Sequence, residues 1–314
     1  MADPVASDLV IGLINNMPAA AKRATEQQFV GLLTAAAEGL DRPVKVFTLE
    51  NDAGRVTETF RTLRQLRPDA IIVTGDEPQR AAMTDEPLWP ALARLADWAA
   101  DNTISSVWSC MAAHAAVLRL DQINRRRQPQ KLSGMYPCAA AADHSLLAQF
   151  PPSWPVAHSR HNAVDETELR SKGYTVLSHA PRVGADIFVK QVRGSLFVLL
   201  QGHPEYAPDS LFREYRRDIR RFLTGESGVY PEMPENYFDR KAARKLAKLR
   251  AQAHRSPSPR LLASIYAAFA VAPAPVGVSP ARQLYANWLG HLAKEKAERE
   301  TVARWSSQQR RGAA

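Results

Sequence analysis

The sequence predicts an α/β fold, in which a doubly wound, mostly parallel sheet is flanked by helices. Short apolar runs alternate with helix-like segments over roughly the first 225 residues, which is typical of βαβ units. With 314 residues, 45% of them hydrophobic, the chain can bury a full core. We therefore place a large α/β domain at residues 1–228. Residues 229–314 form a basic, proline-interrupted, partly helical extension.

The alternation gives the elements of the sheet in chain order. We predict strands at residues 9–14, 44–49, 70–74 and 104–108. The helices between them are predicted at residues 25–38, 55–65 and 89–101. Later strands, followed by a helix at 210–224, are predicted at 174–178, 187–191 and 195–201. Gly194 indicates a hairpin between the last two, so this edge of the sheet is expected to be antiparallel.

One of the two cysteines stands where the strand at 104–108 meets a helix. The alanine-rich stretch after Cys110 lets a helix begin close to the sheet, and the partial positive charge of its first N–H groups favours a thiolate. This is the geometry of a nucleophile elbow, with the backbone N–H of Met111 available to an oxyanion. Taken alone, the stretch fits a buried structural cysteine better.

A histidine and a carboxylate follow the strand at 195–201. His203 stands at the carboxyl end of that strand, and Glu205 projects from the same side if the backbone stays extended. Glu205 would then hold the imidazole in one tautomer and stabilise its protonated form. Because each of these side chains ends a predicted strand, Cys110, His203 and Glu205 predict a Cys-His-Glu triad.

These motifs, with several others, resemble the homoserine O-succinyltransferase family, whose fold is that of the class I glutamine amidotransferases and is flavodoxin-like. The matching stretches cover about two thirds of the chain in the order of the family. They are Ile-Asn-Asn-Met-Pro at 14–18 with Thr-Glu at 25–26, Val-Thr-Gly at 73–75, the Cys110 elbow, Lys-Leu-Ser-Gly-Met-Tyr at 131–136, His-Ser-Arg at 158–160, Gly-His-Pro-Glu-Tyr at 202–206 and Glu-Tyr-Arg-Arg-Asp at 214–218.

The resemblance implies an acyltransferase of methionine biosynthesis that works by a ping-pong mechanism. Cys110 would take the acyl group from acyl-coenzyme A and pass it to the hydroxyl of L-homoserine. His203 would be the general base and Glu205 would orient it. Coenzyme A thioester is then a co-substrate, and no permanently bound cofactor is expected.

The resemblance also implies three substrate-binding residues. Lys131 and Ser159 match residues that line the substrate pocket, and Arg217 matches an arginine that pairs with the amino-acid carboxylate, for which a guanidinium fork is well shaped. From the residues alone, Lys131 also fits a surface position, and Arg217, among four further arginines at 213–221, also fits a solvated helix face.

The acyl donor depends on the segment after Gly75. In the family, a glutamate at one position of this segment accompanies the use of an acetyl donor, and a glycine at that position accompanies the use of a succinyl donor. Counting without gaps places Gln79 at that position, whereas a displaced proline brings Glu77 near it. We expect a succinyl donor, with acetyl as the alternative. The chain also begins closer to its first strand than the family does, and an acceptor other than homoserine, such as serine, stays open.

Two other functions compete with acyl transfer. The same elbow and triad serve glutaminases and amidohydrolases of this fold, but the set of Lys131, His-Ser-Arg at 158–160 and Arg217 favours the transferase. The net charge of +9 and the basic runs at 125–127 and 240–260 are compatible with nucleic-acid binding. No zinc-ligand spacing, ribonucleoprotein pattern or helix-turn-helix accompanies them, so we do not expect the chain to bind nucleic acid.

Composition adds expectations about partners and compartment. Two cysteines give no disulfide framework, which fits a reducing cytoplasm, and Cys138 is expected to be structural. We expect no membrane span and no signal peptide. We also expect no metal, because His158 and His161 lack a matching ligand set. The partners are therefore small-molecule substrates, and the chain is compatible with a homodimer. A C-terminal helix at 281–289 is expected to pack back near Trp288, with frayed residues from about 294.

Overall fold

The computed structural model of the protein describes residues 7–50, 56–267 and 279–312. The strands are β1 Leu9–Asn15, β2 Val44–Glu50, β3 Ala70–Val73, β4 Ser105–Ser109, β5 Arg126–Ala140, β6 Trp154–Ala163, β7 Thr175–Ala180, β8 Gly184–Val192 and β9 Ser195–Leu200. The α-helices are α1 Ala19–Ala36, α2 Val56–Leu66, α3 Trp89–Asn102, α4 Met111–Asp121, α5 Glu166–Ser171, α6 Ser210–Leu223, α7 Arg240–Arg255, α8 Leu261–Tyr266 and α9 Pro280–Gly312.

The described strands form one nine-stranded sheet in the order β2-β1-β3-β4-β9-β8-β7-β5-β6. The first five strands of this order run parallel, and the remaining four continue the sheet with antiparallel pairings. The α/β prediction is confirmed. Strand order reverses at β1, so the loops after β1 and β3 flank a crevice of the kind in which open α/β sheets bind ligands.

The sequence pattern underestimated the antiparallel part. The hairpin at Gly194 is correct, but β8 and β9 lie inside the sheet rather than at its edge, and β7, β5 and β6 extend it further. Strands β5 and β6 carry little apolar alternation: β5 is largely exposed at its start and shifts register between Arg127 and Leu132. Pro129 lies within that shift, where its missing N–H breaks no regular ladder.

Two helix boundaries also differ from the prediction. Helix α1 begins at Ala19, six residues before the predicted start, because Pro18 and the alanines after it suit a first helical turn. Helix α9 continues to Gly312 rather than fraying from residue 294. Lys296 holds it to the body of the protein, because its ammonium group donates to Asp69 at 2.7 Å.

The sheet separates two large apolar layers. Helices α1 and α9 cover one face, where α9 buries Leu284, Tyr285, Trp288, Leu289 and Leu292, and helices α2, α3 and α4 cover the other. The indole N–H of Trp288 donates to Ser105 Oγ in β4 at 2.9 Å. A smaller apolar cluster joins α6, α7 and α8. None of the helices in the described ranges combines the length and apolarity needed to cross a membrane.

Candidate active site

Cys110 occupies a strained turn between β4 and α4. Its φ of 52° and ψ of −112° lie where residues with a side chain are rare, and its N–H donates to Leu200 O at 2.7 Å. Gly75, after β3, packs against this turn so closely that a Cβ on it would lie 2.9 Å from Met111 N. A glycine is therefore required at residue 75, and the Met111 N–H stands at the wall of the same cavity as Cys110.

His203 lies beside the Cys110 thiol, and the Glu205 carboxylate contacts the His203 imidazole as predicted. The Nδ1 of His203 is 2.8 Å from Glu205 Oε1, and its side chain also hydrogen-bonds Cys110. Burial favours the neutral imidazole, but the Glu205 carboxylate and Cys110 outweigh it and raise the pKa of His203 well above its ordinary value. The ring of Tyr206 stacks on His203 at a centroid distance of 4.2 Å. The imidazolium form is therefore favoured next to Cys110.

Cys110 lines a cavity that is open to solvent. Nearly all the predicted site residues line this cavity. Those in its wall are Cys110, Met111, His203, Glu205, Lys131, Ser159, Arg217 and Glu77. Gln79 is the exception. Its backbone N–H points to the Glu86 carboxylate at 3.1 Å, and its side chain does not line this cavity. Glu77 is thus the better placed of the two candidates for acyl selectivity.

The predicted substrate-binding cations have acidic partners that the sequence did not single out. Lys131 Nζ lies 3.0 Å from Asp218 and 3.5 Å from Glu214, and Arg217 Nε donates to Asp218 at 2.9 Å. Although burial opposes it, Lys131 and Arg217 lower the pKa of Asp218. Glu214 also accepts hydrogen bonds from the hydroxyls of Ser159 and Tyr206.

The acidic members of this network, Glu214 and Asp218, stand four residues apart on α6, with Arg217 between them. That spacing places such residues on one helix face, and it was the available sequence signal for their role. It was obscured by the four neighbouring arginines.

Glu77 carries a fixed negative charge at the rim of the cavity. Its two oxygens accept from the guanidinium of Arg221 at 2.8 and 3.1 Å, and Arg217 Nη1 lies 3.9 Å away. The hydrogen bond from Arg221 lowers the pKa of Glu77.

A buried charged layer supports the loop that carries His203. Arg160 donates to the carbonyls of Asn162 and Val183 at 2.8 and 2.6 Å, and its Nε lies 3.4 Å from His158 Nδ1. His158 Nε2 is 3.2 Å from Asp186 Oδ1. A Cβ on Gly202 would meet Asp186 Oδ1 at 2.6 Å, so this layer packs directly under the residue before His203.

The same layer contains a metal-like grouping that the sequence did not suggest. Ligand atoms of Cys138, His158 and Asp186 lie within 4.8 Å of one another and are fully buried. Burial raises the pKa of the Cys138 thiol, which keeps it protonated, and Arg160 adds a positive charge beside it. Both features disfavour a cation, and the absence of a metal stays a prediction.

The chain is similar to known proteins along most of its length. A family model described as homoserine O-succinyltransferase matches residues 4–299. A homoserine O-succinyltransferase of Rhodopseudomonas palustris is 45% identical over 296 residues, which cover 91% of this chain and 88% of that protein. One of Methylorubrum extorquens is 43% identical over 305 residues, covering 94% of this chain and 90% of that protein.

A solved structure of a glutamine amidotransferase from Thermotoga maritima is also similar in fold. It shares 12% sequence identity and a TM-score of 0.48, and the match covers 91% of this chain and 98% of that one.

Proposed function

The chain belongs to the homoserine O-succinyltransferase family, and on that premise we propose that it transfers the succinyl group of succinyl-coenzyme A to the hydroxyl of L-homoserine. It is an acyltransferase. One observation carries the proposed mechanism: Cys110, His203 and Glu205 form a hydrogen-bonded series at the floor of a cavity that also contains Arg217. We propose that this cavity holds the thioester carbonyl and the homoserine hydroxyl in turn.

The first half-reaction begins with proton transfer to His203. The imidazole, whose pKa is raised, takes the thiol proton as the sulfur of Cys110 attacks the thioester carbonyl. The Met111 N–H at the start of α4 donates to the developing oxyanion. The bond between carbonyl carbon and coenzyme A sulfur then breaks, and the leaving thiolate takes the proton from His203.

The second half-reaction reverses these roles. Neutral His203 accepts the proton of the homoserine hydroxyl as the oxygen attacks the succinyl-Cys110 thioester. The bond to Cys110 breaks, the ester leaves, and the thiolate is again paired with imidazolium. Glu205 keeps Nδ1 protonated throughout, so that Nε2 exchanges the proton.

We propose roles in substrate binding for the cavity wall. Arg217 offers a guanidinium fork to the carboxylate of homoserine, and Lys131 and Ser159 lie next to it. An acetyl donor is the second candidate. The carboxylate of Glu77 in the cavity wall opposes the free carboxylate of a succinyl group, whereas Arg217 and Arg221 beside it partly offset that charge.

The test is a two-step reaction followed by intact-protein mass. The protein is incubated with succinyl-coenzyme A or acetyl-coenzyme A, and the added mass identifies the donor. The loaded protein is then mixed with homoserine, serine or buffer. We expect a succinyl adduct that is absent in Cys110→Ala and that homoserine removes. Loss of the adduct in buffer alone, at the rate seen with homoserine, would instead indicate a hydrolase.

A further inference from the structure

Helix α9 runs from the edge of the sheet where the catalytic residues lie to the opposite edge. Near its start, Leu284 lines a second cavity whose wall also includes His203. Farther along the helix, Lys296 donates to Asp8 O, just before β1 begins, at 2.5 Å. The first residues of α9 therefore lie close to the loop that carries His203, and Tyr285 follows Leu284 directly.

The Glu205 carboxylate is held through one of its two oxygens. Its Oε1 lies 2.8 Å from His203 Nδ1 and accepts from Ser109 Oγ at 3.4 Å. Its Oε2 is buried, and no group among the described residues donates to it. A buried carboxylate oxygen without a donor is costly, and the carboxylate can turn about its terminal torsion. A fixed orientation of the triad therefore requires a second donor, on Oε2.

The hydroxyl of Tyr285 is a donor of the required kind. Tyr285 is buried, its ring packs edge-to-face with Phe29 and Trp288, and its hydroxyl has no hydrogen-bond partner in the part of the chain that the structure describes. Burial above all, and then the negative charge of Glu205, raise the pKa of Tyr285, so the hydroxyl keeps its proton. A phenol that lacks an acceptor thus lies within electrostatic reach of a carboxylate that lacks a donor.

We propose that the Tyr285 hydroxyl donates to Oε2 of Glu205, directly or through one bridging water molecule, and that Tyr285 is thereby a positioning residue of the triad. Held at both oxygens, Glu205 stays aligned with His203 Nδ1. The assignment makes the C-terminal extension part of the active site. It rests on the proposed triad mechanism and does not depend on which acyl donor and acceptor the enzyme uses.

The experiment follows the alkylation of Cys110 by iodoacetamide, read from peptide mass, as a function of pH in the wild type and in Tyr285→Phe. The change removes only the hydroxyl and keeps the ring. Loss of a donor disfavours the ionised form of Glu205, so the acid side of the profile should move to higher pH by about one unit. The ionisable neighbours His203, Tyr206 and Cys110, which line the same cavity as Glu205, stay unchanged.

Tyr230→Phe is the matched control. Its hydroxyl is also buried, but it lies in the apolar cluster of α6, α7 and α8, so its loss should leave the profile unmoved. A double variant then tests whether the hydroxyl acts through the carboxylate. In a Glu205→Gln background, Tyr285→Phe should move the profile by less than about 0.3 pH unit, because the group on which it acts is gone. Thermal unfolding reports whether each variant is folded.

The pH profiles decide the role of Tyr285. A shift in Tyr285→Phe that is absent in Tyr230→Phe and lost in the Glu205→Gln background supports the proposal. An unmoved profile in Tyr285→Phe, an equal shift in Tyr230→Phe, or an undiminished shift in the Glu205→Gln background overturns it and leaves the proposed function intact. A wild-type profile that already matches a free thiol overturns the triad mechanism together with this assignment.

Discussion

The two halves of the sheet bury different kinds of residue. In the parallel half, β3, β4 and β9 are buried along their whole length and are mostly apolar. The antiparallel half buries ionisable groups instead: Arg160 and His158 in β6, Asp186 in β8 and Cys138 in β5. The parallel strands end in Cys110 and in the loop with His203, whereas the antiparallel hairpin of β5 and β6 carries Lys131 and Ser159.

The difference indicates a division of labour. The apolar half provides a stiff support on which one strained turn can be held, and the polar half contributes charged and polar side chains to the wall of the cavity. The two halves meet at His203, the proposed general base, because its backbone N–H donates to Ala157 O in β6 at 2.8 Å. Four changes test this comparison, beginning with the largest expected effect.

Cys110→Ala should abolish activity and leave the fold intact. The nucleophile is lost, which lowers kcat by about 10⁴-fold or more, whereas an alanine fits the turn without new contacts. Steady-state turnover and thermal unfolding are the measurements. Appreciable turnover by the variant would exclude a covalent intermediate, and a large fall in Tm would show that the thiol itself supports the parallel half.

Arg160→Met should destabilise the protein by about 3–5 kcal/mol, because it leaves two buried carbonyls without donors and removes a buried positive charge that interacts with Asp186. The control is Arg126→Met in the same antiparallel half, where an exposed arginine pairs with Asp165, and it should cost about 1 kcal/mol or less. Urea unfolding measures both. If the two variants are equally stable, the buried charges do not support the antiparallel half.

Glu205→Gln should slow alkylation of Cys110 by iodoacetamide about 10-fold or more near neutral pH. Glu205 raises the pKa of His203, so without it the imidazolium is favoured only at lower pH, and the positive partner of the thiolate is lost. The pH profile of alkylation should move to higher pH. Glu226→Gln, which changes an exposed acid, should leave the profile unmoved; an unchanged profile in Glu205→Gln would contradict the assignment.

Cys110→Gly should be more stable than Cys110→Ala by about 1 kcal/mol, the smallest effect of the four. The turn holds a residue with a side chain at φ 52° and ψ −112°, a strain that glycine relieves at some cost in chain entropy. Both variants lack the thiol, so the comparison isolates backbone strain. Chemical denaturation decides it, and equal stability would mean that the parallel half holds the elbow without strain.

The sequence predicted the parallel half well for a physical reason. Its strands are short apolar runs bounded by helix signals, and Cys110 and His203 follow directly from such runs. Strand β5 was not predicted, because Pro129, Pro137 and its polar residues interrupt the alternation of apolar and polar residues that is typical of a strand. The hydrogen bonds that Ser159 and Tyr206 donate to Glu214 join separate elements, and only the spacing of Glu214 from Asp218 on α6 indicated that this network exists.

Helix α9 bears on the order in which the protein can fold during synthesis. Its residues Tyr285, Trp288 and Leu292 complete the apolar layer over one face of the sheet, and Trp288 donates to Ser105 in the strand that leads to Cys110. A nascent chain that ends before this helix leaves that face open to water, where it can associate with other apolar surfaces. The turn that carries Cys110 therefore gains this support only after residues 280–292 have left the ribosome.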